Sequence, residues 1–314
     1  MPYKNNKKLY EEYLNKINKT LDYIQRNISE KISLADLSKI SGFSNFHFLR
    51  IFTALIGETP GSYIKRIRVE KVANLILTNS KLTITQIAFK CGYSSSQSLS
   101  RDFRDYFKVS PSQYKVKQES NICHIKSNKG KATLSEFAYD GIKGRDLINH
   151  QNEKNMEVKI QDFSEIAVAY IRHIGKFKGD SSLFGSAFEK LCSWAYPNGL
   201  INEKTLFLAA YYDDPKVTSE DKMRIDICMS IPADAEPSNG IGKTVFSAGK
   251  YAVSRIEAKD TADFEKGWNE LYRNWLLGSG HEPDNNRPCL EIYRNDPKKD
   301  KSGKYIVDIC VPIK

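Results

Sequence analysis

The chain repeats itself twice, with two different periods, and a fixed offset between matching residues marks a duplicated structural unit. In the first third, Ser33 to Tyr63 aligns with Thr83 to Tyr114: Leu37 with Ile87, Gly42 with Gly92, Phe43 with Tyr93 and, after one inserted residue, Phe52 with Phe103, Pro60 with Pro111 and Tyr63 with Tyr114. In the second half, "FSEIAVAYIRH" returns as "FSAGKYAVSRIEA", "FGSAFEKLCSW" as "FEKGWNELYRNW", "LAAYYDDPK" as "LEIYRNDPK" and "RIDICMSIP" as "YIVDICVPI". That second offset stays between about 80 and 85 residues. With 314 residues, 40% of them hydrophobic, the chain can bury more than one core, so two domains are expected, each internally duplicated.

In each early repeat a short helix, about Leu34 to Ser41 and about Ile84 to Lys90, runs into Gly-aromatic-Ser. Glycine accepts the positive φ of a tight turn, and serine can cap the next helix by accepting from its free N–H groups. That is the layout of a helix-turn-helix, whose second helix enters the major groove. Phe48, Ile51, Phe52 and Leu55 in one second helix, and Leu99, Phe103, Tyr106 and Phe107 in the other, recur at helical spacing and form the core faces. The opposite faces carry Asn45, Phe46, Leu49 and Arg50, then Ser96, Gln97, Ser98 and Arg101. Arginine can fork onto guanine, glutamine onto adenine, and an apolar side chain can rest on a thymine methyl. Any one of these is also an ordinary surface residue, and Phe46 also suits a core.

Between the repeats, "PGSYIKRIRVEKVANLILTN" predicts a helix from about Gly61 to Leu77. At 1.5 Å per residue it spans roughly 26 Å, enough to hold two recognition helices about one DNA turn apart. Lys65 and Arg66, with Arg68 and Lys71, are candidates for phosphate contact or for a solvated charged face. The charge is unevenly divided along the chain: residues 1 to 118 hold 20 Lys+Arg against 9 Asp+Glu, and the remainder holds 28 against 29. A basic module joined to a near-neutral one fits nucleic-acid binding, although a lysine-rich surface alone would give the same sum.

"GFSNFHFLRIF", "GETPGSYI" and "IAFKCGYSSSQSLSRDFRDYFKVSPSQY", with the linking helix, resemble the AraC/XylS transcription regulators over about residues 8 to 116. The resemblance implies sequence-specific binding to double-stranded promoter DNA, usually activating transcription beside RNA polymerase. It places base reading on Phe46, Leu49, Arg50, Ser96, Gln97 and Arg101. Leu49 stands where some relatives carry a polar reader, and Lys108 replaces a glycine common before the final Ser-Pro.

Each later repeat reads strand, helix, strand, strand, with β-branched runs flanking one amphipathic helix and an Asp-Pro turn. Two βαββ units predict an antiparallel sheet with both helices packed on it and a groove between the halves. Candidate groove residues are Glu291, Tyr293, Trp275, Tyr170, Trp194 and Phe177, though most aromatics of such a sheet are core. Glu291 shares a face with Cys289 and Tyr293, while its counterpart in the first copy is Ala209. A carboxylate there is costly to bury unless it pairs with a cation or keeps its proton; the alternative is an edge glutamate in water.

This half resembles the GyrI-like effector-binding domains over about residues 156 to 314. That resemblance implies a pocket for small organic molecules, often hydrophobic and cationic, with the Glu291 position facing the ligand. In this order the two domains resemble the Rob-type regulators. The expected architecture is therefore multidomain: an all-α DNA-binding domain over 1–116, a linker over 117–155 whose structure the sequence does not indicate, and an α+β domain over 156–314. The expected function is a ligand-modulated transcription regulator, an activator by resemblance, and not an enzyme. The alternatives are a hydrolase built on Glu291 and a nearby tyrosine, or a sequestering protein. No metal or cofactor is expected, since the six cysteines and five histidines lack ligand spacing. With no apolar signal core at the N-terminus and no long apolar run, a cytoplasmic location away from membranes is expected.

Overall fold

A computed structural model describes residues 3–117 and 156–314, apart from Ser80, Lys216, Leu277, Gly278, Lys298 and Lys301. The expected linker thus lies almost wholly outside the described residues.

The N-terminal domain is helical: α1 (Tyr3–Arg26), α2 (Leu34–Ser41), α3 (Asn45–Ile56), α4 (Pro60–Thr78), α5 (Ile84–Lys90), α6 (Ser96–Phe107) and α7 over 111–117. Local chemistry sets the boundaries. Ser33 with Asp36 and Thr83 with Gln86 form reciprocal capping boxes for α2 and α5. Ser44, Thr59 and Ser95 each accept from the backbone N–H of the third residue of the helix they start. Gly42 and Gly92 turn each unit at φ +69° and +78°; a Cβ on Gly92 would sit 2.8 Å from the Ser29 carbonyl oxygen. The linking helix is two residues longer than expected and begins with Pro60 in its first turn.

Helix α1 was not foreseen, although Ile17, Leu21 and Ile24 recur at helical spacing and are buried, as is Ile28 in the turn that follows. They pack with Leu37, Phe48, Phe52, Tyr63 and Ile67 to make the core of the first unit. The second unit closes on Leu99, Phe103 and Ile87 against Val69, Val72 and Ala73 of α4, so α4 serves both cores.

The C-terminal domain is one eight-stranded antiparallel sheet. Its elements are β1 (Val158–Phe163), β2 (Ile166–Ile174), α8 (Ser181–Ala195), β3 (Phe207–Tyr211), β4 (Arg224–Ser230), β5 (Gly242–Phe246), β6 (Gly249–Ala258), α9 (Thr261–Asn269), β7 (Cys289–Tyr293) and β8 (Tyr305–Pro312). A π-helical turn, Glu270–Leu276, continues α9. The strand order is β1-β6-β8-β7-β3-β4-β2-β5. Each copy thus has one strand more than expected, and the extra edge strands cross over: β1 pairs with β6 of the second copy, and β5 with β2 of the first. The copies meet at the β3–β7 pair, where Ala209 lies opposite Glu291.

Alternation gives the sheet two apolar faces. Ala209, Glu291 and Ile309 are register partners on the face that carries α8 and α9. Leu208, Ile292, Ala210 and Leu290 look the other way, into a second core layer. The N-terminal domain docks on that second face through α1 and α4. Val217 enters the core of the second helix-turn-helix unit and Ile174 packs against that of the first.

Candidate DNA-reading face and effector site

On the N-terminal domain, the side chains expected to read bases lie along two helix faces that the sheet domain leaves uncovered. Asn45, Phe46, Leu49 and Arg50 are exposed on α3, with Phe46 at 70%, and the Arg50 guanidinium sits 5.6 Å from the centre of the Phe46 ring. Phe46 is therefore not core. On α6, Gln97 and Arg101 are exposed, while Ser96 and Ser98 are half-buried. The Ser98 hydroxyl donates to the Ser95 carbonyl at 2.8 Å, inside the helix cap. Ser96, Gln97, Ser100, Arg101, Arg104 and Asp105 line an open cavity of about 330 Å³.

The basic residues of α4 divide sharply. Lys65 is exposed and pairs with Asp102 of α6 at 3.1 Å. Arg66, expected at phosphate, is instead buried at 4% exposure, donating to Glu58 at 2.7 Å and to Glu70 at 3.2 Å. An arginine held by two carboxylates inside the domain is structural. Arg68 is also taken, donating to the carbonyls of Ile28 and Glu30, and Lys71 donates to Asn286 of the sheet domain at 3.1 Å. None of this is legible from the charges alone, because the helical period rather than the sequence neighbour decides which lysine or arginine faces water.

The sheet domain's candidate site centres on Glu291. Its position in the middle strand pair buries it to 4% exposure. Tyr211 donates to Oε2 at 2.7 Å, Tyr293 to the same oxygen at 3.0 Å, and the Trp268 indole N–H to Oε1 at 2.7 Å. All three donors are neutral. Burial pushes the Glu291 carboxyl above its ordinary value, and the three hydrogen bonds oppose that rise. The same burial, together with the nearby carboxylate, raises the hydroxyls of Tyr211 and Tyr293 well above the usual range for tyrosine, so both stay protonated donors. Trp268 reaches the carboxylate because Gly267, next to it on α9, lets the helix approach the sheet; a Cβ there would lie 2.8 Å from Ile309.

Of the candidates named from sequence, Tyr293 touches Glu291, Phe177 packs 5.8 Å from the Tyr211 ring centre, and Trp194 belongs to the same core. Two do not join them. Trp275 lies in the neighbouring core beneath α9 and stacks on His281, because the π-helical turn redirects it. Tyr170 points to the opposite face of the sheet, where its hydroxyl donates to Asp22 of α1 at 2.7 Å; the two-residue alternation of β2 fixes that. Tyr211 and Trp268 take their places. Tyr211 was within reach of the repeat, since it is the counterpart of Tyr293. Half-buried aromatic rings surround the buried carboxylate.

A family model for the GyrI-like small molecule binding domain matches residues 156–314, just over half of the chain. The chain belongs to the GyrI-like family. A helix-turn-helix domain model matches residues 37–117. The GyrI-like domain is 30% identical over 164 residues to the DNA gyrase inhibitor of Edwardsiella piscicida, covering 51% of this chain and 99% of that protein. The N-terminal domain is 34% identical over 100 residues to the multiple antibiotic resistance protein MarA of Salmonella typhimurium, covering 32% and 78%. It is 33% identical over 100 residues to the HTH-type transcriptional activator AarP of Providencia stuartii, covering 32% and 73%. Among solved structures, the DNA-binding domain of AdpA in complex with a target DNA is similar at 22% identity and a TM-score of 0.33, covering 34% of this chain and 96% of that one. The protein is an AraC-type DNA-binding transcription regulator with a GyrI-like domain. Among the described residues no helix is long and apolar enough to cross a membrane.

Proposed function

We propose that the protein activates transcription with RNA polymerase at promoters read by α3 and α6, under control of a small organic cation bound at Glu291. The observation that carries the ligand reading is a buried carboxylate whose three partners are all neutral. Burying such a group is costly without a countercharge, and a flat or bulky organic cation offers one while its apolar surface replaces ring-to-ring contact. Tyr211, Tyr293, Trp268 and Phe177 are the rings in place to receive it.

On DNA, Arg50 and Arg101 are proposed to fork onto bases, helped by Asn45, Gln97 and Ser96, with Phe46 and Leu49 against thymine methyls. Nineteen residues of α4 extend about 28 Å, which suits two successive major grooves. Lys65 is the remaining phosphate candidate on α4. The test is fluorescence anisotropy of the full chain on duplex from upstream of its own gene and on scrambled duplex, over a salt series. Specific binding roughly a thousandfold tighter, with both affinities falling steeply as salt rises, supports the reading. Equal affinities for both duplexes overturn it.

A further inference from the structure

Between the two domains lies a buried layer of charge that neither DNA reading nor ligand binding uses. Arg172 on β2 donates to Asp226 on β4 through both Nε and Nη2, at 2.7 and 2.6 Å, and to Asp22 of α1 at 2.8 Å. Tyr170 donates to the second oxygen of Asp22, and Tyr212 to Asp226 at 2.7 Å. Arg224 donates to Gln25 of α1 at 2.8 Å and to the Tyr63 hydroxyl of α4 at 3.3 Å, while Asp213 accepts from its guanidinium and from its backbone N–H. Every charged side chain in this layer is at most 7% exposed. Burial would lower the pKa of both arginines, but the facing aspartates more than reverse it.

The path continues into the DNA-binding domain. Glu70 on α4 lies in the field of Asp213 and Arg224, bonds to Arg66, and accepts from Tyr106 of α6 at 2.7 Å. Helix α6 also carries Gln97 and Arg101. At the centre of the layer, Leu21, Gln25, Tyr63, Arg172, Tyr212 and Arg224 leave a void of only about 10 Å³, so a displaced side chain has no slack to absorb its movement.

Three consecutive residues connect this layer to the carboxylate. Tyr211 donates to Glu291 on one face of the sheet; Tyr212 holds the Arg172 pair on the other; Asp213 holds Arg224. We propose that the segment Tyr211–Asp213 is the coupling element of the regulator, converting the state of the Glu291 carboxylate into the strength with which the sheet grips α1 and α4. The proposal rests on the ligand reading above. An organic cation that claims the carboxylate competes with the Tyr211 hydroxyl for its acceptor. The end of β3 then resettles, and Tyr212 and Asp213 move with it. Ligand control follows because the ligand favours one of two docking states.

The second copy supplies an internal control. Tyr293 also donates to Glu291, but it is followed by Arg294, which bonds Asp308 on a part of the sheet where Arg255 is largely in solvent. Tyr211→Phe and Tyr293→Phe therefore each remove one hydrogen bond to the same oxygen, and only one of them lies on the path to the arginines.

Amide hydrogen exchange of the full-length protein tests this without DNA. Tyr211→Phe is expected to speed exchange in residues 17–26 and 60–76 by roughly three- to tenfold, the loss of about one hydrogen bond, while Tyr293→Phe leaves them unchanged. Should Tyr211→Phe fail to fold, Glu291→Gln takes its place with the same expectation. Saturating tetraphenylphosphonium, as the probe cation, is expected to change the same segments in the wild type and not in Tyr211→Phe. Equal effects of the two tyrosine variants, or none on α1 and α4 from either, overturn the coupling. Because no DNA is present, failure of promoter binding would leave this result standing. Failure of the cation to bind would appear instead as an unchanged β3–β7 region.

Discussion

The two copies in the sheet domain share a backbone but not a job. In the first, Arg172 and Asp226 are buried and capped by Asp22 of α1. At the equivalent place in the second, Arg255 and Asp308 form the same bidentate pair, yet the Arg255 side chain is 62% exposed. Arg224 corresponds to Ile306, and Tyr212 to Arg294. The buried carboxylate runs the other way, with Glu291 in the second copy and Ala209 in the first. Duplication made one fold twice; divergence then gave docking to one copy and the buried acid to the other. Meeting at β3–β7, the two roles sit on opposite faces of adjacent strands.

The sharpest way to break that contrast is to remove each arginine. Arg172→Ala leaves Asp22 and Asp226 buried and facing each other, and a loss of about 3–5 kcal/mol is expected in urea unfolding. Arg255→Ala, screened by water, is expected to cost at most about 1 kcal/mol. Similar losses would mean that the docked pair is not special. Within α4 a parallel contrast separates Lys65 from Arg66. Arg66→Ala is expected to cost about 3 kcal/mol of stability by stranding Glu70, whereas Lys65→Ala weakens binding to every DNA sequence alike and, because its pair with Asp102 is half in water, costs at most about 1 kcal/mol of stability.

Arg50→Ala and Arg101→Ala are each expected to cost about 1–3 kcal/mol on the specific site and far less on scrambled duplex. Equal losses on both would remove them from base reading. A smaller, pH-dependent effect belongs to Glu291. Its folded pKa is raised above the ordinary 4.5, so its contribution to stability is fully present below that value and lost as pH rises through the folded pKa. Cation binding needs the ionised form, so affinity for tetraphenylphosphonium is expected to rise across the same window, by up to about tenfold per pH unit. Calorimetry over that range should show a flat profile in Glu291→Gln. Lastly, Lys108 ends α6 at φ +61°, where Gly42 and Gly57 end α2 and α3. Lys108→Gly is expected to raise stability by about 1 kcal/mol, read from the melting temperature.

Much of the fold was legible because repetition and capping are local. The glycine turns, the serine caps of the second helices and the Phe48/Phe52 and Leu99/Phe103 faces gave both helix-turn-helix units nearly to the residue. The crossed edge strands β1 and β5 were not, because strand pairing across copies leaves no mark on either strand's own alternation. Glu291 stood out as an odd acid in an aromatic strand, and the repeat implied Tyr211 through Tyr293. Tyr170 and Arg66 were misassigned for one reason: each is polar or basic in a functional region but faces an internal carboxylate, Asp22 or Glu70, that tertiary packing supplies. Helix α1 carried a readable apolar stripe, but its docking role through Asp22 and Gln25 depends on a sheet more than 140 residues away.

Calorimetric titration of tetraphenylphosphonium into the full-length protein, free and then saturated with upstream duplex at the same salt, addresses ligand control most directly. Linkage requires that a ligand which changes DNA affinity have its own affinity changed by DNA in equal measure. If the pocket governs DNA binding, the two cation affinities differ by roughly fivefold or more, and Glu291→Gln abolishes the heat of binding. Tight cation binding with identical affinity in the presence and absence of DNA would contradict control of DNA affinity by the pocket.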